Sequence, residues 1–131
     1  MKILLAFHHF GLDSEIVSAA LSQAQAFKAQ LHLVTSMETG EDIPKDEFDF
    51  AEVNLERGRN FFLGHGVDCV AALLETGNSA GEDLVEYGSK NDIELMIVGV
   101  KSRSRLGKLL FGSTAQYVIL QAHCPVLTVK G

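Results

Sequence analysis

The sequence predicts an α/β protein built on a parallel sheet with helices packed against it. Three observations carry this. Short apolar runs with strand character alternate with amphipathic helical stretches along the whole chain, which implies parallel strands joined by right-handed crossovers. The first and fourth runs, Ile3–Phe7 and Leu95–Val98, are apolar throughout and belong in the middle of such a sheet. A glycine-punctuated, cationic stretch, GVKSRSRLGKLLFGST from Gly99 to Thr114, then leads from the fourth strand into a helix. That is where an open α/β sheet would hold an anion.

The elements follow in order. Ile3–Phe7 is a buried strand, and His8–Leu12 connects it to a helix over 14–29. Asp13 is the expected N-cap, with Ser14 and Glu15 in the first turn. Ile16, Ala20, Ala24 and Phe27 recur at helical spacing. Leu31–Ser36 is the second strand. The segment from Glu38 to Glu56 holds eight of the seventeen acidic residues and reads as a solvated loop around Ile43-Pro44, then the outer face of a helix over 46–63. Phe48, Ala51, Leu55 and Phe62 form that helix's apolar stripe, and Gly64 and Gly66 close it.

Val67–Leu74 is the third strand, and a helix over 79–90 follows with Leu84, Val85 and Tyr87 facing inward. After Leu95–Val98 and the glycine stretch, Ser113 and Gln116 have the spacing of a capping box. That last helix carries Val118, Ile119 and Leu120 and stops before Pro125. Val126–Val129 is the closing strand. Residues 1–131 read as one domain, without repeats or low-complexity segments.

Charge is unevenly spread. The chain carries −6 overall, yet no Asp or Glu occurs after Glu94. Lys101, Arg103, Arg105 and Lys108 all fall in the glycine stretch. A local basic patch on an acidic chain argues against bulk nucleic-acid binding and for a small anion. The opening MKILLAF is too short for a signal core or a membrane span, so the expectation is a cytoplasmic protein with no membrane partner. Cys69 and Cys124 lack metal-ligand or redox spacing and read as small core residues.

The candidate chemistry is binding rather than catalysis. No Ser/His/Asp or Cys/His constellation can be defended from spacing, and no catalytic or metal-ligating residue is assigned. His8 and His9 point to opposite sides of an extended segment and make poor co-ligands. His8-His9-Phe10-Gly11 also lacks the second histidine of a His-x-Gly-His phosphate motif. The glycine stretch is not a Walker A loop, because no Gly-Lys-Ser/Thr closes it. A micromolar nucleotide needs about 8 kcal/mol, more than phosphate contacts alone supply, so a second wall for base and ribose is required.

MIVGVKSRSRLGKLLFGSTAQYVILQAHCPVLTVK closely resembles the C-terminal third of the universal stress protein family. KILLAF and LHLVTSM resemble the strands of its first β-α-β unit, while residues 38–92 match in pattern only. The family's nucleotide motif, Gly-x2-Gly-x9-Gly-Ser/Thr, falls here on Gly99, Ser102, Gly112 and Ser113. The resemblance implies a three-layer sandwich around a five-stranded parallel sheet of order 3-2-1-4-5, the adenine nucleotide alpha hydrolase-like fold. It implies a dimer that pairs its last strands, here Val126, Leu127, Thr128 and Val129.

It further implies a site for ATP or AMP, with or without Mg2+. That site comprises Ala6, Phe7 and His8 after the first strand, Ser36 after the second, and Val98, Gly99, Ser102, Gly112, Ser113 and Thr114. Lys101 and Arg103 join it on charge alone. The implied role is stress-response regulation or interaction, with slow ATP hydrolysis at most. Two positions depart from the pattern: Ser102 replaces the second glycine, and His8 stands where the first strand usually ends in Asp. One lost hydrogen bond of this kind costs about 1–3 kcal/mol, or roughly ten- to a hundredfold in affinity. The alternative is a dimer of the same fold that binds no nucleotide and acts through protein partners.

Overall fold

A computed structural model of the chain describes residues 1–8, 11–37, 44–100, 102–103, 109–110 and 112–130, with 102–103 and 109–110 described by backbone alone. The element order is β1 (Lys2–Ala6), α1 (Glu15–Phe27), β2 (Gln30–Ser36), α2 (Lys45–Gly64), β3 (Cys69–Leu74), α3 (Ala80–Lys90), β4 (Leu95–Val100), β5 (Ser102–Arg103), β6 (Leu109–Leu110), α4 (Ser113–Gln121) and β7 (Val126–Lys130). Five of the strands form one parallel sheet in the order β3-β2-β1-β4-β7. With β7 as the fifth strand, this is the 3-2-1-4-5 order expected.

Strand periodicity explains the layers. Ile3, Leu5 and Phe7 alternate with Leu4 and Ala6, so β1 feeds two cores at once. Ile3, Leu5, Phe7, Leu31, Leu33 and Ile97 pack beneath α1 and α2, which contribute Val17, Ala20, Leu55 and Phe62. Leu4, Val34, Met96 and Val98 pack on the other side with Leu84, Ala115 and Val118 of α3 and α4. A strand buried on both faces must be apolar at every position, which is why β1 and β4 show no alternation in the sequence.

Helix ends differ from the sequence reading at several points. The N-cap of α1 is Ser14, not Asp13, and it makes no side-chain cap bond. That helix ends at Phe27, where Lys28 turns left-handed at φ 51° and returns its N–H to the carbonyls of Ala24 and Gln25. Gly112, not Ser113, caps α4: its extended backbone (φ −66°, ψ 162°) makes Ser113 the first helical residue and leaves no capping box there. The capping box of this protein lies at α3. There Ser79 Oγ accepts from the Glu82 N–H, and the Glu82 carboxylate accepts from the Ser79 N–H.

The glycine stretch also differs from a simple connection. β5 and β6 pair antiparallel, with Ser102 opposite Leu110 and Arg103 opposite Leu109. In sequence the pair falls between β4 and α4. Lys101, Arg105, Gly107, Lys108, His9 and Ile43 lie outside the described residues, as do the side chains of Ser102 and Arg103.

Candidate functional site

The sheet builds a notch at its C-terminal edge. Ala6, the last residue of β1, pairs with Val34, and β2 continues for two more residues to Ser36. On the other side Leu5 pairs with Ile97, while β4 continues to Val100 alongside Lys130 of β7. Two extra residues on each neighbour overhang β1 by about 6.6 Å. Chain direction across the sheet also reverses at β1 and β4. The notch therefore coincides with the switch point where open α/β sheets bind ligands.

A cleft of about 1280 Å³ opens over this notch. Its floor includes Ala6 and Phe7, with His8 exposed at the rim. The Phe7 N–H donates to the Val34 carbonyl at 2.9 Å, and Thr35 Oγ1 donates to the Phe7 carbonyl at 2.7 Å. Those two bonds fix the chain where it leaves β1. Ser36 contributes from β2, and Val98 and Gly99 from β4; Gly112, Ser113 and Thr114 come from the start of α4. The cleft thus gathers nine of the predicted residues from four separate elements. Lys101 lies outside the described residues, and the side chains of Ser102 and Arg103 do too.

The two ends of the cleft differ in character. At one end α4 begins, and the first-turn N–H groups of a helix have no intrahelical acceptors. No acidic residue of α4 occupies that turn, so the helix supplies no negative charge of its own at the positive end of its dipole. At the other end Ala6, Val34, Met37 and Phe50 give an apolar wall. Asp13, Glu15, Asp46 and Glu47 stand around the rim. Among the described residues no group of three His, Cys, Asp or Glu is placed to hold a metal ion.

Sequence reasoning missed the second wall. Asp46, Glu47, Phe50, Ala51 and Asn54, all from the first half of α2, line the cleft. Their only sequence signal was the acidic run that reads equally well as a solvated helix face. It also missed Asp83, which is 2% exposed in the first turn of α3. Ser36 Oγ donates to Asp83 Oδ2 at 2.5 Å, and Thr76 Oγ1 donates to Asp83 Oδ1.

The model of the universal stress protein family matches residues 1–130. The chain belongs to the universal stress protein family. Among curated members, one from Thermus aquaticus is 30% identical over 98% of this chain and 97% of its own length. Another, from Methanocaldococcus jannaschii, is 42% identical over 65 residues, half of this chain and 37% of that protein. A match of 43% identity to a Mycolicibacterium smegmatis member likewise spans only 42% of that relative.

Solved family structures share the fold. A universal stress protein from Archaeoglobus fulgidus superposes with a TM-score of 0.88 at 26% identity, covering 99% of this chain and 98% of that one. A second A. fulgidus structure, in complex with dAMP, gives 0.83 at 23% identity over the same shares of the two chains. A family member from Arabidopsis thaliana with AMP bound gives 0.65 at 16% identity, covering 98% of this chain and 90% of that one. Among the described residues no helix is long and apolar enough to cross a membrane.

Proposed function

We propose that this chain binds an adenine nucleotide, ATP or AMP, in the cleft over β1, and acts as a regulatory or interaction protein of the stress response. One observation carries the reading: the ends of β1, β2 and β4 and the start of α4 converge on a single cleft with one anion-favouring end and one apolar end. Phosphates belong at the start of α4, beside Gly99, Gly112, Ser113 and Thr114; Ser102 is assigned to them by the family motif and Lys101 and Arg103 by charge, from the sequence alone. The base belongs against Ala6, Phe7 and Ser36 at the apolar end. His8 stands at the rim between them, beside the ribose. Relatives of the same fold with dAMP and AMP bound support the ligand class. Mg2+ would accompany ATP as a phosphate-bound ion.

β7 lies at the edge of the sheet, where an unpaired apolar strand is a liability unless covered. A second copy pairing along Val126, Leu127, Thr128 and Val129 would cover it, giving a cytoplasmic homodimer. The sequence offers no nucleophile–base constellation that spacing defends, so fast hydrolysis is not part of the reading. The test is to denature purified protein, spin out the precipitate and assay the supernatant for nucleotide. Recovery of AMP or ATP near one per chain is expected, and its absence, with no uptake on incubation with ATP, would refute the reading.

His8 and Ser102, together with four carboxylates around the cleft, favour one other reading: a dimer of this fold that holds no nucleotide. Its melting temperature would ignore millimolar ATP.

A further inference from the structure

Among the described residues, Asp83 is the one Asp, Glu, Lys or Arg that is fully buried. It stands in the first turn of α3, where a helix N-terminus favours negative charge. Its two oxygens accept from Ser36 and from Thr76. Thr76 Oγ1 itself accepts from the Asn78 N–H at 3.2 Å, so its proton is free to go to Asp83. A carboxylate takes both protons, since it only accepts. The consequence falls on Ser36. A serine hydroxyl has one proton and two lone pairs, and here the proton goes to a residue that does not line the cleft. Towards the cleft, Ser36 has only an acceptor to offer.

Position gives that acceptor its meaning. Ser36 ends β2, which is separated from Gly99 of β4 by β1 alone. Two strand spacings place Ser36 about 9.6 Å from the glycine end, across the floor of the cleft. Apolar lining at this end comes from Ala6, Val34, Met37 and Phe50, while Thr35 gives its hydroxyl proton to the Phe7 carbonyl. We propose that Asp83 is a positioning residue that holds the Ser36 hydroxyl as an acceptor, and that Ser36 thereby selects a base with an exocyclic amino donor at position 6, a 6-amino purine over a 6-oxo purine. The inference rests on the nucleotide reading above. An adenine amino group donates to Ser36, whereas the 6-oxo group of hypoxanthine brings lone pairs against lone pairs.

The test titrates the whole protein by calorimetry with ATP and with ITP, whose bases differ at C6 (amino against oxo) and at N1 (acceptor against N–H donor). A third titrant, purine riboside triphosphate, lacks the 6-amino group but keeps N1 as an acceptor, and is expected to lose the preference as ITP does. Wild type is expected to prefer ATP by at least about tenfold, the worth of one well-placed hydrogen bond. Ser36→Ala should weaken ATP by about tenfold and leave ITP within about threefold, while Ser36→Thr keeps the preference. Asp83→Asn can donate from its amide to Ser36, turning the hydroxyl proton into the cleft and narrowing or reversing the ratio. A purely structural role for the pair would weaken both nucleotides together and leave their ratio intact. Equal binding of ATP and ITP by wild type, or an unchanged ratio in Ser36→Ala, overturns this inference alone. Binding of neither nucleotide by wild type overturns the nucleotide reading and this inference with it. Should Asp83→Asn fail to fold, the two Ser36 variants decide.

Discussion

A glycine-to-alanine series tests how tightly α3 and α4 pack beside the cleft. A Cβ added at Gly81 would lie 2.7 Å from Tyr117 Cβ and 2.9 Å from its Cγ and Cδ1. Ordinary carbon contacts begin near 3.5 Å, and the nearest atom sits at the root of the tyrosine rather than at a mobile tip. The helices must therefore separate, at a cost of about 1–3 kcal/mol for an overpacked contact. Alanine regains at most about 1 kcal/mol in helix propensity. Gly81→Ala should therefore lose about 1–2 kcal/mol. For a chain of this size that lowers the melting temperature by roughly 3–10 °C.

The same change at Gly64 meets nothing within 4 Å at the end of α2, so Gly64→Ala should be neutral or gain up to about 1 kcal/mol. Gly66 also has open space but sits at φ +78°, and Gly66→Ala should cost about 1 kcal/mol through backbone strain alone. Urea unfolding of the three variants gives the values directly. Because Tyr117 is one turn into α4, Gly81→Ala should also weaken ATP binding, which the other two leave unchanged. A Gly81→Ala protein as stable as wild type, or one no worse than Gly64→Ala, would refute the packing argument.

Three further outcomes are expected. Gln30 Nε2 donates to Asp68 at 3.1 Å, which turns Gln30 Oε1 towards His32 Nε2 at 2.8 Å; that nitrogen carries the proton and Nδ1 accepts from the Tyr87 hydroxyl at 2.7 Å. Burial, then the Lys2 ammonium, hold His32 below its ordinary pKa. The unfolded chain therefore binds its proton first. Stability is complete above about pH 6.5 and falls as pH drops below it, and urea midpoints at pH 7.5 and 5.5 should show a fall that His32→Gln reduces. Thr128 directs its backbone N–H away from β4, as the Met96 N–H donating to the Pro125 carbonyl fixes the phase of the ladder. Thr128→Pro should leave the sheet intact yet convert a dimer to a monomer by light scattering, and an unchanged dimer would place the interface elsewhere. Burial pushes the Cys69 thiol up to about 12, so it should resist a thiol reagent at pH 8 in the native protein and react once unfolded.

Element order was legible because each pattern has one physical cause. Continuous apolar runs mark strands with two buried faces, and β1 and β4 proved to be the adjacent central pair. Capping was less legible. Asp13 and Ser14 are both good caps, and only backbone geometry decides that Ser14 takes the position. Ser113 has a capping residue's chemistry, but the extended N-cap conformation falls on Gly112, one position earlier. The Ser79–Glu82 box has the Ser-x-x-Glu spacing in the sequence itself. The hairpin of β5 and β6 has only two residues per strand, too short for periodicity to reveal.

The candidate site divides in the same way. The family motif implies Gly99, Gly112, Ser113 and Thr114, and it can be matched in the sequence because its glycine spacing is a local property of the chain. The family resemblance implies Ala6, Phe7, His8 and Ser36, and the fold brings these four to the same cleft. The wall from α2 was not legible, since nothing local distinguishes Phe50 facing a cleft from Phe50 facing solvent. Asp83 is harder still. Its partner Ser36 is 47 residues away, and a carboxylate within a helical stripe reads as solvated until the fold buries it.

The central claim is that the notch over β1 holds an adenine nucleotide. Titration calorimetry of the full chain with ATP and magnesium tests it most directly. One site per chain is expected, with a dissociation constant in the micromolar range, about −8 kcal/mol, weakening as salt rises. Absence of any heat at millimolar ATP, in protein shown to be free of prebound nucleotide, would contradict it.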